Sequence, residues 1–236
     1  MTNLTLLALD TSTEACSVAL LNKGEKTYLN ELAQRTHTKR ILPMIDEILA
    51  NSGIRLNQVD ALAFGRGPGS FTGVRVGAGI AQGLAFGAEL PVIPISNLTA
   101  MAQAAFELYQ RENVAAAIDA RMNEVYFSQL KREKVRSDFG EFFQWREVIR
   151  EQVCPPEQVI AQFTDESAFR VGTGWNAYLQ FSEKRFTGKD IELPNALYML
   201  ELARVNWLQK KVISALDIEP IYLRNEVTWK KLPGRE

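Results

Sequence analysis

Two short stretches carry residue types that could do chemistry: "DTSTEA" from Asp10 and "GRGPGSFTG" from Gly65. In the first, an aspartate ends an apolar run, "LTLLALD", and Thr11, Ser12 and Thr13 follow it. A carboxylate at a strand end, with hydroxyls and turn amides beside it, suits an anion such as a phosphate. The same residues suit a plain polar turn between two strands, and taken alone they favour that turn. In the second stretch, Gly67 and Gly69 flank Pro68 in a tight turn, and Ser70 or Thr72 can cap the helix that follows. The stretch lacks the Gly-Lys-Ser/Thr ending of a P-loop and the Gly-x-Gly-x-x-Gly spacing of a dinucleotide fold. A helix N-terminus after a glycine turn can receive an anion, although capping alone accounts for the serine.

Other chemistries are harder to assemble. His37 is the only histidine, and Cys16 and Cys154 are far apart, so no transition-metal site is expected. A Ser-His-Asp triad would need His37, which sits in the polar stretch "QRTHTKR" and reads as a solvated residue before a helix. No catalytic residue emerges from this inventory.

The helix opened by the glycine turn poses its own question. At 100° per residue, Gly73, Val76, Gly77, Ile80, Gly83, Leu84 and Gly87 share one face, opposite Arg75, Ala78, Gly79, Gln82 and Phe86. A helix apolar nearly all round is covered on more than one side. Each glycine costs roughly 1 kcal/mol against alanine, so the five from Gly73 to Gly87 need a packing reason. Close backbone approach is that reason. The approaching element is either another helix of a partner or a neighbour from the same chain, and physics alone leaves both open.

The surrounding elements follow from periodicity. "LTLLALD", "CSVALL" and "KTYLNEL" read as three strands, with "NKGEK" as a hairpin connection. A helix is expected from Thr38 to Ser52, stopped by Gly53. "DALAFG" and "PVIPIS" are further strands, and Ser96 caps a helix running to Gln110. At Val114 the pattern restarts: "VAAAIDARMNEVYFSQL" sets beside "LTLLALDTSTEACSVALL", with Asp119 where Asp10 stood. The repeat suggests two similar α/β halves, residues 1–111 and 112–236. In the second copy, "DARMNE" has lost the small hydroxyl residues. "KREKVRSDFGEFFQWREVIREQV" alternates polar and aromatic residues and takes no firm assignment. "NALYMLELARVNWLQK" is an amphipathic helix, and "EPIYLRNEVTWKKLPGRE" reads as an extended segment returning to the first half.

Composition bounds the function. The 236 residues carry 27 basic and 28 acidic side chains, so the bulk charge of a nucleic-acid binder is missing. The N-terminus has no basic region before its apolar run and does not read as a signal peptide. Phe71 to Ala88 contains Arg75 and Gln82 and is rejected as a membrane span. Two unclustered cysteines suit reduced thiols in the cytoplasm.

The quoted stretches resemble the TsaB (YeaZ) family, bacterial accessory proteins for threonylcarbamoyladenosine in tRNA. "LALDTSTEACSVAL", "FGRGPGSFTGVRVGAGIAQGLAF" and "PVIPISNLTAMA" carry the resemblance, and "DARMNEVY", "VGTGW" and "IYLRNEVTWKK" extend it along the chain. It implies a two-lobed actin and sugar-kinase-like (ASKHA) fold, α/β with duplicated mixed-sheet halves. It implies a catalytic sister, TsaD, in which two metal-binding histidines stand where this chain has Asn97 and Met101. The chain would then be a non-catalytic scaffold, with Asp10, Thr11, Ser12, Gly67, Gly69 and Ser70 as a vestigial phosphate loop. Gly73, Val76, Gly77, Gly79, Ile80 and Gly83, with Met44 from the neighbouring helix, would meet TsaD in a heterodimer. The ATPase TsaE would join them, and tRNA would be reached through the complex. No tightly bound cofactor is expected, only a weak adenine nucleotide at the partner interface. The uncovered apolar helix also suggests a homodimer when the protein is alone. The rival readings are a phosphotransferase of the same fold, opposed by the altered "DARMNE" loop, and a metallo-glycoprotease, opposed by the single histidine.

Overall fold

The structure is a computed structural model that describes residues 4–33, 36–137, 140–182 and 187–224. The first lobe begins with three strands, β1 (Leu6–Asp10), β2 (Ala15–Asn22) and β3 (Glu25–Leu32), then helix α1 (His37–Asn51). Strand β4 (Ala61–Gly67), helix α2 (Phe71–Ala88), strand β5 (Val92–Ser96) and helix α3 (Asn97–Tyr109) follow. The second lobe repeats the order: β6 (Asn113–Arg121), β7 (Glu124–Ser137), β8 (Gly140–Cys154), α4 (Pro156–Gln162), β9 (Phe169–Val171) and α5 (Gly174–Ala177). A last helix, α6, spans Ala196–Leu208.

The duplication is visible in the sheets. The first has strand order β3-β2-β1-β4-β5 and the second β8-β7-β6-β9. In both, the opening strand pairs antiparallel with its successor and parallel with the strand that follows the crossover helix. Among the described residues, the second sheet has no counterpart of β5. The two similar α/β halves expected from the repeat are thus present, in the mixed, two-lobed ASKHA-like architecture that the resemblance implies.

Side-chain alternation decides the layers. Leu7, Leu9, Val18, Leu20, Leu62 and Phe64 point to α1 and α2. Their neighbours Leu6, Ala8, Ala19, Ala61 and Ala63 point to α6, against Ala196, Met199, Leu200 and Ala203. The small residues on that side let α6 lie close to the sheet. By sequence α6 belongs to the second half, yet it packs on the first sheet and donates Ala196 N–H to Ser17 Oγ at 2.9 Å. α3 lies between the lobes: Leu98, Met101, Ala102 and Ala105 pack with Val114, Ala116 and Ile118 of β6. The far side of the second sheet is aromatic, with Phe127, Phe163, Trp175 and Phe181 clustered.

Several local expectations hold. Ser96 caps α3 and Ser70 caps α2 through their hydroxyls. Gly53, at φ 65°, ends α1. The segment of alternating polar and aromatic residues, left unassigned by its sequence, is most of a long hairpin, β7 paired with β8. His37 is the first residue of α1 and half-buried, not a solvated residue ahead of it. No described helix is long and apolar enough to cross a membrane. Of the C-terminal segment, residues 225–236 lie outside the described residues; before them, Ile221 N–H donates to Arg66 C=O at 3.1 Å.

Candidate functional site

The loop after β1 is stitched to the start of α2. Ser70 N–H donates to Ser12 C=O at 2.7 Å. The Thr11 hydroxyl donates to Gly73 C=O at 2.7 Å, inside the first turn of α2. Ser70 Oγ in turn accepts from Gly73 N–H at 3.0 Å. The backbones meet so closely that a Cβ on Gly69 would lie 2.4 Å from Ser12 C=O, and one on Gly73 would lie 2.2 Å from Thr11 C=O. These glycines therefore serve the fold of the monomer.

Behind this seam sits a closed polar cluster. Asp10, Thr11 and Ser12 are all buried, as is Asn97 at the start of α3. The Ser12 hydroxyl donates to Asp10 Oδ2 at 3.0 Å. Asn97 Nδ2 donates to Ser12 Oγ and to Pro68 C=O, the latter at 3.1 Å. Burial pushes the Asp10 carboxyl up to about 7, against the lowering effect of its hydrogen bonds.

The second-lobe counterpart is built differently. Asp119 accepts the Tyr178 hydroxyl at 2.8 Å and Arg121 N–H at 2.8 Å, and the Arg121 guanidinium pairs with it at 3.0 Å. Burial, then the bond to Asp119, pushes the Tyr178 hydroxyl up to about 12. Arg121 also reaches Glu14 of the first lobe at 3.3 Å and so spans the cleft mouth. The turn that carries it places Arg121, Met122 and Asn123 in succession at φ 62°, 56° and 59°, which side chains other than Asn adopt at a cost. Between the lobes lies a cleft of about 670 Å³, lined by Thr13, Gly69, Ser70, Asp119, Thr173 and Asn176 among others.

The expected partner residues divide. Gly79 and Gly83 have nothing within 4 Å of a notional Cβ and lie on the exposed side of α2. Val76 and Ile80 are half-buried at its edge. Gly73 and Gly77 do not belong to that surface: both are buried, and a Cβ on Gly77 would lie 2.9 Å from Thr11 Oγ1. Met44 is also excluded, because it is 2% exposed in the core beneath α1. The buried face of α2 is Gly73, Val74, Gly77, Ala78, Ala81 and Ala85, rotated from the face the sequence suggests. Gly67 lies at φ 105° beneath the Ile221 carbonyl and does not line the cleft.

Sequence reasoning missed Tyr178, Arg121 and Asn97 as partners of the two aspartates. The repeat points to Asp119, but nothing in sequence places Tyr178 beside it. It also missed Arg66 and Glu151, which pair across the lobes at 3.0 Å. Asn97 and Met101 are both buried, Met101 within the apolar cluster of α3 and β6. Among the described residues, no three His, Cys, Asp or Glu side chains come together as metal ligands.

Comparison with known proteins agrees with this architecture. The family model for TsaD, tRNA N6-adenosine threonylcarbamoyltransferase, matches residues 29–228. The chain is 85% identical over 236 residues to the tRNA threonylcarbamoyladenosine biosynthesis protein TsaB of Haemophilus influenzae, covering 100% of both. It is 47% identical to the Escherichia coli protein of the same name, over 98% of this chain and 99% of that one. The solved structure of YeaZ from Pseudomonas aeruginosa superposes with a TM-score of 0.79 at 41% identity, covering 93% of this chain and 100% of that one. A full-length relative at 85% identity and a shared two-lobed fold show that the chain belongs to the TsaB (YeaZ) family of tRNA threonylcarbamoyladenosine biosynthesis proteins.

Proposed function

We propose that this chain is a non-catalytic, activating subunit for threonylcarbamoyladenosine modification of tRNA, working beside a TsaD-type transferase and the ATPase TsaE. The state of the two strand-end aspartates carries this reading. Asp10 is sealed inside its own lobe by Ser12, and Asp119 is held by Tyr178 and Arg121. Neither is left free to organise a phosphate transfer. Asn97 and Met101 occupy the positions that, by the resemblance, carry the sister's metal ligands.

The exposed stripe of α2 is the surface offered to the transferase. Gly79, Gly83 and Gly87 leave its backbone uncovered, and Phe86 stands out of it at 67% exposure. A helix can approach such a stripe closely, and the same stripe pairs two copies when the chain is alone. The size of the cleft favours weak adenine-nucleotide binding as a secondary property, at the edge of the partner contact. tRNA is reached through the assembled complex.

Reconstituted tRNA modification with each subunit omitted in turn tests the reading. This chain with the activated threonylcarbamoyl intermediate, but without the transferase, makes no modified adenosine. Modified adenosine formed in that mixture overturns the proposal.

A further inference from the structure

Among the described residues, two buried side-chain oxygens of the first lobe lack a hydrogen-bond partner: Asp10 Oδ1 and Asn97 Oδ1. Both crowd the same point beside Gly65. A Cβ built there would lie 2.0 Å from the first and 2.6 Å from the second. Turning the Asn97 amide round would aim Nδ2 at Asp10 Oδ1 but only move the mismatch elsewhere. Its Nδ2 already donates to Ser12 Oγ and Pro68 C=O, and a flip would set an oxygen against the Pro68 carbonyl. The Ser12 hydroxyl has a single hydrogen, and Asp10 Oδ2 accepts it. The Ser12 hydroxyl and the Asn97 amide thus spend their hydrogens on Asp10 Oδ2, Ser12 Oγ and Pro68 C=O, and two side-chain oxygens remain beside one another. Buried acceptors left unpaired destabilise the fold. A metal ion would need further ligands, and among the described residues no three His, Cys, Asp or Glu side chains gather to hold one. One additional proton satisfies both oxygens.

We propose that Asp10 carries this proton, and that the neutral acid donates to Asn97 Oδ1 as a clasp positioning the turn before α2 against the start of α3. The clasp closes a ring from Asp10 to Asn97, from Asn97 to Ser12, and from Ser12 back to Asp10. Through Pro68 and Ser12 it also holds the seam that places the first turn of α2. Asp10 is thus a positioning residue, and its role is that of a hydrogen-bond donor.

The surroundings favour the neutral form. Gly65 on β4, Ser17 opposite on β2, and Pro68 ahead of α2 carry no ionisable side chain. Arg66 is engaged by Glu151 across the lobes. The titratable neighbour is Cys16 on β2, whose thiol is itself pushed up to about 12, chiefly by burial. Burial raises the Asp10 carboxyl to about 7, and no neighbouring charge is among the causes. The linkage follows from that direction. Below 3.8 both the folded and the unfolded chain hold the proton. Between 3.8 and about 7 the unfolded chain releases it and the folded chain keeps it, so stability falls as pH rises through this window. Above the window the difference is constant.

Thermal unfolding of the full chain between weakly acidic and mildly alkaline pH tests the clasp. Asp10→Asn keeps a donor towards Asn97 Oδ1 and an acceptor for Ser12. It should flatten the fall in Tm across the window and melt at or above wild type at neutral pH. Asp10→Ala should melt below both at every pH, because it strands Asn97 and Ser12. A 13C NMR titration of the side-chain carboxyls of the wild-type chain reads the proton directly and should place the Asp10 midpoint near neutrality. An Asp10 midpoint in the ordinary carboxylate range overturns the proposal. So does Asp10→Asn that folds but is as unstable as Asp10→Ala at neutral pH. Should Asp10→Asn fail to fold, the titration of the wild-type chain still decides.

Discussion

A methyl group added at Gly73 would press on the Thr11 carbonyl, while one added at Gly79 would meet nothing. The two glycines share a helix, so intrinsic propensity treats them alike, and only their surroundings separate them. Gly73→Ala should destabilise the monomer by about 1–3 kcal/mol through overpacking of the β1 loop. Gly79→Ala should stabilise it by up to ~1 kcal/mol, because alanine is the better helix former and the site is open. Urea unfolding of the two variants checks both signs; equal effects would sink the assignment of Gly73 to the interior. The sequence could not make this distinction. α2 is apolar nearly all round, so its period does not reveal which side rests on the sheet. Asp10 and Asp119 were legible as a repeated pair at strand ends. Their partners were not: Tyr178 is brought to Asp119 from just past the end of α5, a contact set by tertiary packing.

At the scale of elements, strands β1, β2, β4 and β5 and the caps of α2 and α3 were readable, because buried strands and serine caps leave local signals. The β7–β8 hairpin was readable only at the start of β7, where "EVYFSQL" repeats the second strand. Its register shifts between Phe127 and Gln129 and again at Leu130, which breaks the period of two. Its rings also do work that alternation hides: the Arg132 guanidinium lies 3.5 Å from the Phe106 ring centre and 3.7 Å from that of Phe143. The exposed stripe of α2 carries the prediction that belongs here. Gly83→Leu places a bulky group where Cβ space is open, so the isolated monomer should keep its native circular dichroism spectrum. If the stripe is the docking surface for a TsaD-type partner, the same leucine wedges the helices apart. Binding should weaken by about 1–3 kcal/mol, which is several-fold to more than a hundredfold. A binding titration beside circular dichroism separates the two effects. A variant that folds and binds normally removes this stripe from the interface.

The two lobes meet through α3, α6 and a few polar bridges, and one of these is placed to matter. Arg66, at the end of β4, pairs with Glu151 of β8 at 3.0 Å, and Ser96 Oγ donates to the same carboxylate. The Glu151 side chain is 9% exposed and that of Arg66 is 20%. By contrast, the Arg121–Glu14 bridge at the cleft mouth has side chains 75% and 43% exposed. An exposed pair of that kind contributes about 0–1 kcal/mol and fades with salt. Losing one partner of a fully buried pair costs about 3–5 kcal/mol, mostly from the charge left behind. Partial exposure of Arg66 reduces this to about 2 kcal/mol for Glu151→Met. Arg66 Nη1 already lacks an acceptor, so Glu151→Met strands the guanidinium further. Arg66→Met alone should cost a similar amount, because it leaves the carboxylate with Ser96 as its remaining side-chain partner. Removing both charges together leaves neither unpaired, so the double variant should unfold closer to wild type than the sum of the singles. A double-mutant cycle should therefore give a coupling of at least ~1 kcal/mol, little changed by added salt. Glu14→Gln at the cleft mouth should change stability by less than ~1 kcal/mol, an effect lost at high salt. Additive single effects for Arg66 and Glu151 would mean that the apolar packing of α3 and α6, and not this bridge, fixes how the lobes sit.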